Sequence, residues 1–157
     1  MMRAWYDIRY QDLALKEDET GVRESQQAVG QLIEREIARG IDPSRVVLAG
    51  FSQGGAIALQ CGLRFAQRLA GIIALSTYLP LPHTLEQELS TANRGIPILM
   101  AHGIEDPIVP LQLAQASRSK LLSLGYLVEW HQYSMPHSVC ADEIDVIGRW
   151  LRGRLPG

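Results

Sequence analysis

The stretch RVVLAGFSQGGAIALQCGL at residues 45–63 limits the possible folds more than any other part of the chain. Its first six residues form a short, continuous and β-branched run. Such a run is the mark of a strand buried on both faces, because a strand with one wet face alternates apolar and polar residues. A serine between glycines follows, Gly50-Phe51-Ser52-Gln53-Gly54, and then an apolar run from residue 56 that reads as a helix. A strand that is apolar on both sides cannot exist alone and needs neighbouring strands and two covering layers.

The rest of the chain supplies them. GIIALS (71–76), IPILMAHG (96–103) and YLVEWHQY (126–133) read as three further strands. Helical spacing appears between them. Val29, Leu32, Ile33 and Ile37 recur on one face of residues 24–40, which Gly40 can close. Residues 110–124 form another helix, closed by Gly125, and residues 141–155 a last one, carrying Ile144, Ile147, Trp150 and Leu151. Residues 11–24 are polar and read as a loop leading into the first helix. Residues 79–95 hold two prolines and read as a loop with a short helix. Strands that alternate with helices predict a mostly parallel sheet with helices on both faces. A length of 157 residues suits one such α/β domain, residues 1–157, around one core.

Composition excludes several functions. The formal net charge is −2 and no basic stripe with interleaved aromatics is present, so nucleic acid is not an expected partner. No apolar run reaches the roughly 18–20 residues of a membrane span, and the N-terminus does not read as a signal peptide. Two cysteines, Cys61 and Cys140, are too few for a disulfide framework or a thiolate metal site. Cytoplasmic residence with reduced thiols is the expectation.

In open parallel sheets ligands gather at the carboxyl ends of the strands. Ser52 follows the first strand of this set. His102, Gly103, Glu105 and Asp106 end or follow the third, and Met135, Pro136 and His137 follow the fourth. An alcohol, a carboxylate and an imidazole thus fall on one sheet edge, in the chain order of an α/β-hydrolase triad. A serine hydroxyl needs an adjacent base at neutral pH, and His137 can take its proton and return it to the leaving group. A buried carboxylate then orients the imidazole. Side chains at Gly50 or Gly54 would crowd a tight strand-to-helix turn. The N–H of Gln53, at the start of the helix, is placed to meet an oxyanion. Other readings stay open for each residue taken alone. Ser52 can cap its helix, Asp106 can serve an Asp-Pro turn, and His137 can cap the last helix. Asp142 and Asp145 are rival acids, while His83, His102 and His131 read as structural or exposed. A metal site of His102, Asp106 and His137 matches no ligand spacing, so no metal is expected.

Taken together, LAGFSQGGA (48–56), LSTYLP (75–80), HGIEDPIVP (102–110), YSMPH (133–137) and EIDVIGRWL (143–151) resemble the phospholipase/carboxylesterase family, which includes acyl-protein thioesterases. AWYDI (4–8) resembles a segment of that family lying upstream of its serine. The resemblance implies an α/β-hydrolase fold and hydrolysis of carboxylic esters or thioesters without a metal or organic cofactor. By position, Ser52 corresponds to the nucleophile, Asp106 to the acid, His137 to the base and Gln53 to one oxyanion donor. Thr77, Tyr78 and Leu79, with Met135, correspond to residues near the substrate.

Two departures accompany the resemblance. Pro136 stands where the family commonly has glycine. No His-Gly-Leu-Gly-like loop is present, although in the family that loop, after an early strand, gives the second oxyanion donor. The chain therefore reads as an α/β-hydrolase domain lacking the family's N-terminal strands. Impaired oxyanion stabilisation is expected, with an apolar sheet edge that a second copy covers as a homo-oligomer. The expected activity is that of a serine carboxylesterase on short-chain esters. The alternatives are an impaired remnant acting as a binding or assembly module, and an acyl-protein thioesterase.

Overall fold

The computed structural model describes residues 4–6, 8–11 and 14–155. Asp7, in the middle of the AWYDI segment, lies outside the described residues. A short antiparallel hairpin, β1 (Ile8–Gln11) with β2 (Ala14–Glu17), precedes helix α1 (Glu19–Ala38). Then come β3 (Val47–Phe51), α2 (Gln53–Arg64), β4 (Gly71–Leu75), α3 (Pro82–Glu88), β5 (Ile98–Gly103), α4 (Leu111–Ser123), β6 (Val128–Tyr133) and α5 (Ala141–Arg154). Strands β3, β4, β5 and β6 lie side by side in chain order, all parallel.

Alternation along the strands divides the core. Ile72, Ala74, Ile98 and Met100 meet Leu59 and Leu63 of α2 and Leu121 of α4 on one face. Their neighbours Ile73 and Leu99 meet Val146 and Trp150 of α5 on the other. Trp150 packs so closely on β4 that a Cβ at Gly71 would lie 2.4 Å from its ring. The central strands β4 and β5 are almost fully buried, as their continuous apolar runs predict. β3 and β6 are only partly covered, because each has a strand on one side only among the described residues. Ala49 and Phe51 of β3 are exposed. The expectation of a fully buried first strand is corrected in that respect.

The loop expected over residues 11–24 is also corrected. It contains β2, and α1 begins at Glu19, five residues ahead of the expected start. The cause is a helix cap: the Asp18 carboxylate accepts from the Gly21 N–H at 3.1 Å. Tyr126 and Ile96, expected inside strands, stand just before β6 and β5 and are buried in the core.

Candidate active site

Ser52 stands between β3 and α2 with φ 55° and ψ −122°, outside the conformations a side chain prefers. A non-glycine residue so placed costs on the order of 1–3 kcal/mol and persists only when its surroundings fix it. Here they do. The Ser52 N–H extends the parallel ladder to the Leu75 carbonyl at 2.8 Å, and the Ser52 carbonyl accepts from the Ala56 N–H at 3.1 Å. The Thr77 hydroxyl donates to that same carbonyl at 2.6 Å. The Ser52 side chain makes no cap on α2, so the capping role open in the sequence is not the one adopted.

The glycines divide the steric work differently from the expectation. A Cβ on Gly50 would lie 2.1 Å from the Gly54 backbone, so Gly50 is required where α2 passes β3. A Cβ on Gly54 would meet only Trp5 Nε1, at 3.8 Å, which is an ordinary contact. The demand falls instead on Gly55, where a Cβ would lie 2.8 Å from both the Gly50 carbonyl and Thr77 Cγ2. The second glycine needed for the close approach is thus one position later than expected.

The parallel pairing of β5 with β6 brings the acid and the base together. Beyond Gly103 and Tyr133, the Ile104 N–H bonds to the Tyr133 carbonyl at 2.9 Å and the Glu105 N–H to that of Met135 at 3.2 Å. Gly103 lets the second loop pass, since a Cβ there would lie 2.3 Å from the carbonyl oxygens of Met135 and Pro136. His137 Nδ1 then donates to Asp106 Oδ2 at 2.6 Å. Asp106 Oδ1 accepts the backbone N–H groups of Ile108 and Val109, each at 2.8 Å. The carboxylate therefore serves its turn and the imidazole at once. Its side chain is fully buried, and that of His137 keeps 17% exposure. Burial pushes the Asp106 carboxyl up, but the bonds from His137, Val109 and Ile108 outweigh it and hold the group below the usual carboxylate range. His102 shapes the same turn: buried, its Nε2 donates to the Val109 carbonyl at 2.8 Å. Asp142 and Asp145 are exposed on α5, and neither is hydrogen-bonded to His137.

Gln53 is the first residue of α2, so its N–H belongs to the turn whose donors a helix leaves unpaired. Its side chain holds the chain's start: Nε2 donates to the Tyr6 carbonyl at 2.8 Å and Oε1 accepts the Trp5 N–H at 3.2 Å. The side chains of Thr77, Tyr78 and Leu79 are committed inside the protein. Thr77 bonds to Ser52, Tyr78 meets the Tyr6 hydroxyl, and Leu79 lies in the main core. Met135 is buried, and its carbonyl joins the acid and base loops. The sequence reasoning missed Phe51, whose ring centroid lies 4.7 Å from that of His137. It also missed Glu143, fully buried on α5 with no hydrogen-bond partner for either carboxyl oxygen among the described residues.

The sequence model of the phospholipase/carboxylesterase family matches residues 1–154. The chain is 42% identical to acyl-protein thioesterase 1 of Gibberella zeae, over 99% of this chain and 69% of the relative. The chain belongs to the phospholipase/carboxylesterase family. It is also 43% identical to acyl-protein thioesterase 1 of Neurospora crassa, over 99% of this chain and 66% of that protein. Among solved structures, SOBER1 of Arabidopsis thaliana matches with a TM-score of 0.90 at 30% identity, over 98% of this chain and 75% of that one. Esterase PE8 matches with a TM-score of 0.84 at 29% identity, over 96% and 70%. The chain thus spans about two thirds to three quarters of the length of these family members, and its sheet and helices are those of an α/β-hydrolase. No helix among the described residues is long and apolar enough to cross a membrane.

Proposed function

We propose that this family member is a serine carboxylesterase that hydrolyses short-chain carboxylic esters through an acyl-enzyme at Ser52. The observation that carries the reading is the bond between the buried Asp106 and the part-buried His137, whose ring packs against Phe51, the residue preceding the strained Ser52. With Nδ1–H held by Asp106, the imidazole presents the Nε2 lone pair. Ser52 Oγ attacks the ester carbonyl and gives its proton to Nε2, and the Gln53 N–H meets the negative oxygen that forms. Collapse expels the alcohol, which takes the proton from Nε2. Water then adds to the acyl-enzyme by the same proton transfers and releases the carboxylic acid. His102 takes no part, its Nε2 being bound to the Val109 carbonyl.

A thioester substrate is the second reading, favoured by the two relatives named acyl-protein thioesterase 1. The chemistry at Ser52 is the same and only the leaving group differs. The purified chain is tested on p-nitrophenyl esters from butyryl to palmitoyl and on an acyl thioester, beside its Ser52→Ala variant. Hydrolysis that vanishes in the variant supports the serine hydrolase, and preference for butyryl ester supports the short-chain reading. Faster turnover of the thioester replaces that reading with the second. No turnover by the folded chain returns it to a binding or assembly module.

The reading includes a homo-oligomer. Among the described residues β3 pairs on one side only, and Ala49 and Phe51 lie exposed along it. An open apolar edge recruits a further strand. A solution mass of 17.4 kDa, one chain, would overturn this part of the proposal.

A further inference from the structure

The carbonyl of Ser52 and the N–H of Gln53 belong to one peptide group. A trans peptide is planar, so its C=O and N–H point in opposite directions and turn together. Whatever fixes the Ser52 carbonyl also aims the Gln53 N–H. Two donors hold that carbonyl: the Ala56 N–H at 3.1 Å, part of α2 itself, and the Thr77 hydroxyl at 2.6 Å, which comes from outside the helix. Thr77 is rigidly held. It follows β4 by two residues, and Ser76 before it has φ 50° and bonds through its N–H to the Ala101 carbonyl at 2.8 Å. Both are buried. The Thr77 methyl fills the space over Gly55, where no Cβ fits. One side chain thus uses its methyl to seat α2 and its hydroxyl to grip the peptide between Ser52 and Gln53.

The geometry points to Thr77 as a positioning residue for oxyanion stabilisation, acting through the peptide that joins Ser52 to Gln53. The inference rests on the serine hydrolase reading and replaces the expected place of Thr77 among substrate contacts, because its hydroxyl is already donated to the protein. The effect has two parts. The short bond restrains the plane of the peptide, so the N–H need not reorient as the oxyanion forms. It also polarises the amide, since a carbonyl that accepts a hydrogen bond makes its own N–H a better donor. A better aimed and better polarised N–H gains most from the negative charge that builds on the carbonyl oxygen, so the benefit falls mainly on the transition state.

Three variants separate the hydroxyl from the methyl. Thr77→Val keeps the shape and loses the donor, Thr77→Ser keeps the donor and loses the methyl, and Thr77→Cys replaces the serine hydroxyl by a weak donor. The readouts are kcat and KM on p-nitrophenyl butyrate, inhibition by a boronic acid that forms an anionic adduct with Ser52, and Tm. Thr77→Val is expected to lower kcat about tenfold, to weaken the boronic acid by a similar factor and to leave KM within about twofold. Thr77→Ser is expected to recover most of both losses, whatever its Tm. If the valine variant fails to fold, the serine and cysteine variants decide the matter, with serine expected to be several-fold faster. Equal kcat in wild type and valine, or in serine and cysteine, would overturn the inference. So would a loss confined to KM. A wild-type chain that neither turns over ester nor binds the boronic acid would overturn the hydrolase reading itself, and this inference with it.

Discussion

Phe51 lies against the imidazole of His137, ring centroid to ring centroid 4.7 Å at a tilt of 49°. The residue before the proposed nucleophile is therefore a wall for the proposed base. Phe51 is itself 39% exposed, so little core is lost when it is shortened. Phe51→Ala is expected to lower kcat/KM by roughly three- to tenfold, the equivalent of an aromatic pair of about 1 kcal/mol. Tm should fall by no more than a few degrees. Steady-state kinetics on a butyryl ester, together with a melt, checks both.

The glycines give a second prediction. Gly54→Ala meets only Trp5 Nε1 at 3.8 Å and replaces a helical glycine by the best helix former. It is expected to be neutral or stabilising by up to about 1 kcal/mol. Gly55→Ala would press on the Gly50 carbonyl and on Thr77 and is expected to cost about 1–3 kcal/mol. Chemical denaturation of the two variants measures the contrast. Equal stability would mean that the close pass of α2 over β3 relaxes freely.

Asp106 predicts a pH dependence. Its carboxyl is buried yet held below the usual range, chiefly by the His137 bond. A depressed carboxylate stabilises the fold above its unfolded value, about 3.9, and that stability is lost as pH falls through the lower folded value. Asp106→Asn lacks this contribution. The Tm advantage of the wild type over the variant should therefore be full near pH 6 and shrink steadily below about pH 4. Ester hydrolysis by the variant is expected to drop by about 10⁴-fold, because the wrong imidazole tautomer is favoured.

Glu143 predicts the opposite slope. Burial pushes its carboxyl up, and the Cys140 N–H, nearby but outside hydrogen-bond geometry, offsets this only in part. A raised carboxyl leaves the fold unpenalised below its unfolded value, about 4.3, and stability is lost as pH rises through the folded value. Glu143→Gln cannot ionise. Its Tm relative to wild type should thus rise between pH 4 and pH 8, by at least about 2 °C if the penalty approaches 1 kcal/mol. A difference that stays constant over this range would mean that Glu143 ionises in the fold without cost.

Much of the molecule was legible along the chain because the relevant physics is local. The runs GIIAL and ILMAHG are apolar without alternation, which a strand tolerates only when both faces are covered, and they became β4 and β5 at the centre of the sheet. The glycine-flanked Ser52 between an apolar strand and an apolar helix announced a tight strand-to-helix turn at the serine. Less was legible where one weak signal competed with another. The Asp18 cap on Gly21 marks the start of α1, but the charged residues around it hid the helix.

Residue type and order alone determined a parallel α/β domain and placed Ser52, Asp106 and His137 after their strands. Tertiary structure alone decided how Asp106 meets His137, since a bond between residues 31 apart depends on the register of β5 against β6 and not on either segment. It also decided that Gly55 and not Gly54 must lack a side chain, and that the Thr77 hydroxyl is given to Ser52. The same holds for Glu143, buried with no hydrogen bond to its carboxyl oxygens among the described residues. Steric exclusion and hydrogen-bond direction act over a few ångströms in space, and the distance along the chain carries no record of them.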